Sequence, residues 1–241
     1  MAMDVVTASV TVLLIHARRN ADVARELLGS ALGVLVTDRH GGYNFWPEAT
    51  HPFCWAHLKR DIVAISERGG DSERIGKAML EKIARMFTGW HRVRDGTLTR
   101  STFVVYMRSV QKRIEALLKE GASVAQLNTQ RTCKKLLKHK TSLWTFVRIS
   151  GVEPTHNAAE RSVRHGVICR KVSFGTRSAE GSRFVERMLT VRATLRQQKR
   201  SVLAFMRAAC HAALVGSPAP SLLSALPTAH VEAPPRLSRA A

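Results

Sequence analysis

Acidic residues are scarce in this chain: 18 Asp and Glu stand against 38 Lys and Arg among 241 residues, leaving a net charge of +20 and a pI near 11.1. An excess of that size selects a polyanionic partner, nucleic acid first. Long apolar runs are missing as well. None approaches the roughly 20 residues that span a bilayer, so a membrane is ranked low as the partner. The four cysteines (Cys54, Cys133, Cys169, Cys210) show no paired spacing, which argues against a disulfide framework and a four-cysteine zinc ribbon and favours reduced thiols. From Met1 to Ala8 there is no basic segment leading into an apolar stretch, so no secretion signal is read and a cytoplasmic location is expected. Tandem repeats and coiled-coil heptads are absent, which removes solenoids and gives no route to a helical oligomer. Aromatics make up only 6%, too few for a platform that stacks single-stranded RNA.

What is present is enough apolar content, 45%, to bury a real core in one large domain or two small ones. Val10 to Ile15 is a short, continuous β-branched and leucine run, expected as an interior strand covered on both faces. Asn20 reads as an N-cap, with Val23, Leu27 and Leu28 at helical spacing and Gly29 as a stop. A second apolar run, Leu32 to Val36, ends at Asp38, so strand, helix, strand is the expected opening, with the strands parallel. Gly41, Gly42, Pro47 and Pro52 mark irregular chain. Helical periodicity then runs from about Ala56 to Phe146, with breaks at Gly69-Gly70, Gly96 and Gly121. Pro154 and Thr155 introduce a helix carrying Glu160 and Arg161. Gly175 and Gly181 bound a loop, and a last helix extends from about Arg183 to Leu214. Beyond Gly216 the Pro, Ser and Ala content cannot offset its ordering entropy by burial, and the tail is expected to be disordered.

Two carboxylates attract chemistry. Asp38, at the exit of an apolar strand, is placed to project into a site, and equally placed to cap the loop ahead of Gly41. Glu160 either pairs with Arg164 at i,i+4 or belongs to a polar stripe of Asn157, Glu160, Arg161 and Arg164, followed by Arg170 and Lys171. A metal-bearing face bordered by phosphate-binding cations has that second layout. Cys54-Trp55-Ala56-His57 has the spacing of half a zinc site, but no second pair follows, and a packed thiol beside a hydrogen-bonded histidine is the favoured reading. Lys134, Lys135, Lys138, His139 and Lys140 form a basic cluster that the overall charge promotes to a DNA-contact candidate. Trp46, Trp55, Trp90 and Trp144 are read as core.

Three segments carry a resemblance: Val152-Glu153-Pro154-Thr155-His156-Asn157-Ala158-Ala159-Glu160-Arg161, Arg170-Lys171-Val172-Ser173-Phe174-Gly175-Thr176, and Gly181-Ser182-Arg183-Phe184-Val185-Glu186-Arg187-Met188-Leu189-Thr190. They resemble the C-terminal signature of transposases of the insertion sequence 66 family, and Cys54-Trp55-Ala56-His57-Leu58-Lys59-Arg60 is similar to that family's mid-chain motif. The resemblance runs from Val10 to about Ala213. It implies a DDE-type enzyme: an α/β, ribonuclease-H-like core interrupted by a large helical insertion, predominantly helical overall, with two Asp and one Glu holding two magnesium ions. By position Asp38 matches the second Asp and Glu160 the Glu. Asn157, Arg161, Arg164, Arg170, Lys171, Lys59 and Arg60 are then expected to contact DNA.

On that basis residues 1–53 are expected to be an N-terminal remnant of the ribonuclease-H-like core, 54–150 the helical insertion, 151–215 the C-terminal helical part of the core and 216–241 the tail. The first Asp of relatives lies on a strand ahead of the segment matching Val10 to Ile15, and Asp4 does not match it. The core is therefore expected to lack its first strand, leaving neighbouring strands with exposed ladder groups. His156 stands where relatives usually carry Asn. The expectation is an N-terminally truncated DNA transposase that binds transposon ends and target, is homo-oligomeric if active, and is deficient in strand cleavage. The alternative is a basic DNA-binding protein without chemistry.

Overall fold

A computed structural model of the chain describes residues 2–223 apart from Phe174. Among the described residues, those up to Ala17 and those from Ala158 to 223 form one compact unit, and Arg18–Asn157 forms another. Helix predominates among the described residues.

The first unit opens with an antiparallel hairpin. Strand β1 (Ala2–Val6) pairs with β2 (Thr11–Ile15), Val6 opposite Thr11 and Ala2 opposite Ile15. The Thr7 side-chain oxygen closes the turn by accepting from the N–H groups of Ser9 and Val10. Burial alternates along β2: Thr11 and Leu13 are each 2% exposed, whereas Val12 between them is 41% exposed. The strand is therefore covered on one face, where a continuous apolar run suggested two.

In the second unit, α1 (Ala21–Leu28) begins at Asn20, whose side chain accepts from the N–H of Val23, and stops at Gly29, as the capping pattern implied. The apolar run after it does not form the expected parallel strand beside β2. Leu32 is 96% exposed and Gly33 has φ 108°. Only a short parallel ladder forms, in which Leu35 donates to Thr50, Thr37 to Pro52, and Cys54 back to Thr37. Pro52 has no N–H to give, which limits how far such a ladder extends.

The bulk of this unit is helical: α2 (Trp55–Ser66), α3 (Gly70–Arg94), α4 (Arg100–Gly121), α5 (Leu127–Lys138), and the single turns α6 (Lys140–Leu143) and α7 (Thr145–Arg148). The breaks fall at the glycines that interrupt the periodicity. Ile75, Met79, Ile83 and Met86 of α3 recur at three- and four-residue spacing and are essentially buried, as are Phe103, Met107, Ile114 and Leu117 of α4. Together with Leu58, Ile62 and Ile65 of α2 they make one apolar core, the stripe-to-stripe burial that stabilises amphipathic helices. Gly76 lets α3 approach α2 closely, since a Cβ there would lie 2.5 Å from the backbone nitrogen of Ser66.

The first unit resumes with α8 (Asn157–Ser173), whose first residue still belongs to the second unit, then α9 (Ala179–Gln197) and α10 (Val202–Val215). The single last helix expected from the sequence is thus two helices, divided where Lys199 takes φ 56°. Gly181 lies in the first turn of α9 and donates its N–H to the Ser178 cap, so it does not bound a loop.

Helix α9 lies along the outer edge of β2 and serves it with side chains. Thr194 accepts from the Thr11 N–H (3.1 Å) and donates to the Thr11 carbonyl (2.8 Å); Thr190 accepts from Leu13 and Glu186 from Ile15. Helical residues four apart advance about 6 Å and alternate strand residues about 6.8 Å, so the two rows stay in step. The strand expected to be missing ahead of Val10–Ile15 is present as β1, which carries Asp4 and pairs with one edge of β2, and the ladder groups on the other edge are satisfied by α9. Of the expected tail, residues 224–241 lie outside the described residues. The part just before them is tied down, since Arg200 donates to the carbonyls of Ser221 and Leu222.

Candidate functional site

Asp38 follows directly on the Thr37–Phe53 bridge, so the short ladder fixes where its side chain starts. One carboxylate oxygen accepts from the Arg19 guanidinium at 2.8 Å and the other from the His40 N–H at 3.1 Å. The side chain is 22% exposed. Burial opposes its ionisation. The hydrogen bond and charge of Arg19, the His40 N–H and the charge of His57 outweigh that and hold the carboxyl below its ordinary range. Asp38 is therefore an oriented, ionised oxygen donor, and the loop-capping duty weighed against a site role is present alongside it in the His40 contact. The next residue, Arg39, sits at φ 66° and forms an ion pair with Asp61 of α2.

The same ladder delivers a second group of donors. The Cys54 N–H donates to the Thr37 carbonyl (2.8 Å), and the Trp55 N–H donates to the Pro154 carbonyl (2.8 Å). Cys54 and His57 at the start of α2 are thereby drawn to His156, just ahead of α8. One ligand atom from each of Cys54, His57 and His156 lies within 4.8 Å of the others. The two imidazoles meet edge to face, with centroids 4.9 Å apart and planes at 88°. Cys54 is a buried thiol, as expected. The third donor is invisible in the Cys54-Trp55-Ala56-His57 spacing, since His156 lies 99 residues beyond His57.

Behind Asp38, His51 is 4% exposed, its Nε2 lies 2.8 Å from the Thr37 hydroxyl, and burial together with the nearby His139 lowers its pKa to about 4. Lys59 and Arg60 are exposed on α2. Asn157 is exposed at the first position of α8. Glu160 in the first turn of α8 is exposed, as are Arg161, Arg164, Arg170 and Lys171. A carboxylate in a first turn is favoured by the helix dipole, and cations in the last turn are favoured likewise. Asp38 belongs to the unit Arg18–Asn157 and Glu160 to the unit that resumes at Ala158. Sequence reasoning missed Arg19, His40 and His156 as neighbours of the candidate residues. For Arg19 a signal was available, a cation one residue ahead of a helix cap; for His156 none was, since only the fold returns it to Cys54.

A family model for transposases matches residues 2–184, well over half of the chain and inclusive of every residue just described. The chain belongs to the transposase IS66 family. No curated protein and no solved structure matches it. No helix among the described residues is long and apolar enough to cross a membrane.

Proposed function

We propose that this chain acts in DNA transposition, with Asp38 and Glu160 as metal-ligating carboxylates of a DDE-type, ribonuclease-H-like core into which the helices of 54–150 are inserted. The observation that carries the proposal is the ionised, oriented carboxylate of Asp38 inside a region matched by the transposase family. Carboxylate oxygens are the donors magnesium prefers, so the residues fit the metal that the family implies. Magnesium held by Asp38 and Glu160 would supply activation of an oxygen nucleophile and neutralisation of charge on the leaving oxygen of a phosphodiester. The protein's own part is to keep Asp38 deprotonated and aimed through Arg19 and His40, and to present Glu160 among cations. Lys59, Arg60, Arg161, Arg164, Arg170 and Lys171 neutralise phosphates, with Asn157 as a hydrogen-bonding neighbour. Such contacts position DNA and do not read its sequence.

A homo-oligomer is the form expected for any active assembly. The net charge of +20 favours a second reading, DNA binding without chemistry, and magnesium dependence separates the two. Duplex binding followed by fluorescence anisotropy tests the DNA claim. If all six cations contact phosphate, log K falls against log salt with a slope of about −5. Asp38→Ala leaves binding unchanged or tighter. A salt-independent affinity overturns the claim; nicking of a plasmid that requires both magnesium and Glu160 supports the catalytic reading, and its absence the second.

A further inference from the structure

Cys54, His57 and His156 form a cluster distinct in chemistry from the carboxylates. We propose that these three side chains bind a zinc ion that ties the start of α2 to the chain entering α8. Thiolate and imidazole are the donors of a borderline-soft ion, and they discriminate against magnesium, which takes oxygen. In a tetrahedral zinc site with bonds of about 2.0–2.3 Å, donor atoms stand roughly 3.3–3.8 Å apart. The three donors already lie within 4.8 Å of one another, so side-chain rotation of about an ångström closes the set with no backbone rearrangement.

Both sides of the site are pinned by backbone hydrogen bonds, Cys54 to Thr37 and Trp55 to Pro154. Cys54 occupies the N-cap position of α2 and makes no side-chain capping bond, so its sulfur is not committed to the helix. The Nδ1 atoms of both histidines are shielded from solvent. Their perpendicular rings present nitrogens from different directions, as a tetrahedral centre needs and a stacked pair does not. Three protein donors leave the fourth position to a solvent molecule. The ion clamps residues 54 and 57 to residue 156, one position before the helix that carries Glu160.

The test uses the whole chain, stripped with a chelator and titrated with cobalt(II) alone. One equivalent is expected to give a thiolate-to-cobalt charge-transfer band together with tetrahedral d–d absorption, and zinc is expected to displace it. Cys54→Ser abolishes the band, His156→Asn weakens binding at least tenfold, and Cys210→Ala, at the exposed thiol, leaves it intact. Should the Cys54 variant not fold, His156→Asn decides the matter, with its metal-free circular dichroism and urea midpoint matched to wild type. Absence of the band from folded wild-type protein overturns the proposal. So does full cobalt affinity in His156→Asn, displacement by millimolar magnesium, or loss of the band in Cys210→Ala. DNA is absent throughout, so failure here leaves the transposition proposal standing and the reverse holds as well.

Discussion

Protonating His51 is expected to unlock the segment that carries Asp38. The ring is 4% exposed, contacts the Thr37 hydroxyl through Nε2, packs edge-on to Phe53 with centroids 5.3 Å apart, and faces the charge of His139. Burial first, and His139 second, lower its pKa from 6.5 to about 4. The native protein thus holds this imidazole neutral, while the unfolded chain takes up a proton near pH 6.5. Between those values the unfolded state binds more protons, so stability falls as pH falls through that window and levels off below about 4. At about 1.4 kcal/mol per pH unit the loss comes to about 3 kcal/mol. Asp38 does not add to it, because its carboxyl is held below its ordinary 3.8 and loses its contribution only at lower pH. Urea unfolding followed by circular dichroism at pH 7, 6, 5 and 4 measures the effect in wild type and in His51→Gln, which keeps a hydrogen-bonding group but does not titrate. The variant should lose about 3 kcal/mol less than wild type between pH 6.5 and 4. Equal losses in the two proteins would refute the reasoning.

Thr194→Val removes both hydrogen bonds to Thr11 with little change of volume, and should cost about 1–3 kcal/mol; hydrogen exchange at the Thr11 amide should quicken, and unchanged protection would contradict the side-chain ladder. Gly76→Ala places a methyl 2.5 Å from the Ser66 nitrogen, and the overpacking of about 1–3 kcal/mol should outweigh the gain of up to about 1 kcal/mol in helix propensity, lowering the urea midpoint. Arg19→Ala removes the cation that aims Asp38, so manganese binding measured by calorimetry at pH 7 should weaken; tighter binding would contradict the orienting role and show that Arg19 competes with the ion.

How much of this was legible differs from element to element. The helices were, because Gly69-Gly70, Gly96 and Gly121 interrupt a strong three-to-four-residue periodicity and the breaks fall there. Asp38 stood out because it ends an apolar run. The run itself misled: Leu32 to Val36 has the composition of a strand, yet a positive-φ Gly33 and a partner segment containing Pro52 reduce it to a three-bond ladder. Lys199 was not recognisable as a break, since nothing in its side chain demands a left-handed backbone and the turn is set by the chain around it. His156 could not be joined to Cys54 and His57 by spacing, because the Trp55–Pro154 hydrogen bond that unites them is a property of the fold.

Whether Asp38 and Glu160 serve one metal centre is measured most directly by iron-mediated backbone cleavage. Iron(II) replaces magnesium in the His156→Asn variant, so that the thiolate cluster does not contribute, and ascorbate with peroxide generates radicals at the bound ion. Shared ligation predicts two cuts, one beside residue 38 and one beside residue 160, both suppressed by excess magnesium and both lost in Asp38→Asn. A cut at one position alone, or a cut near residue 160 that survives Asp38→Asn, contradicts it.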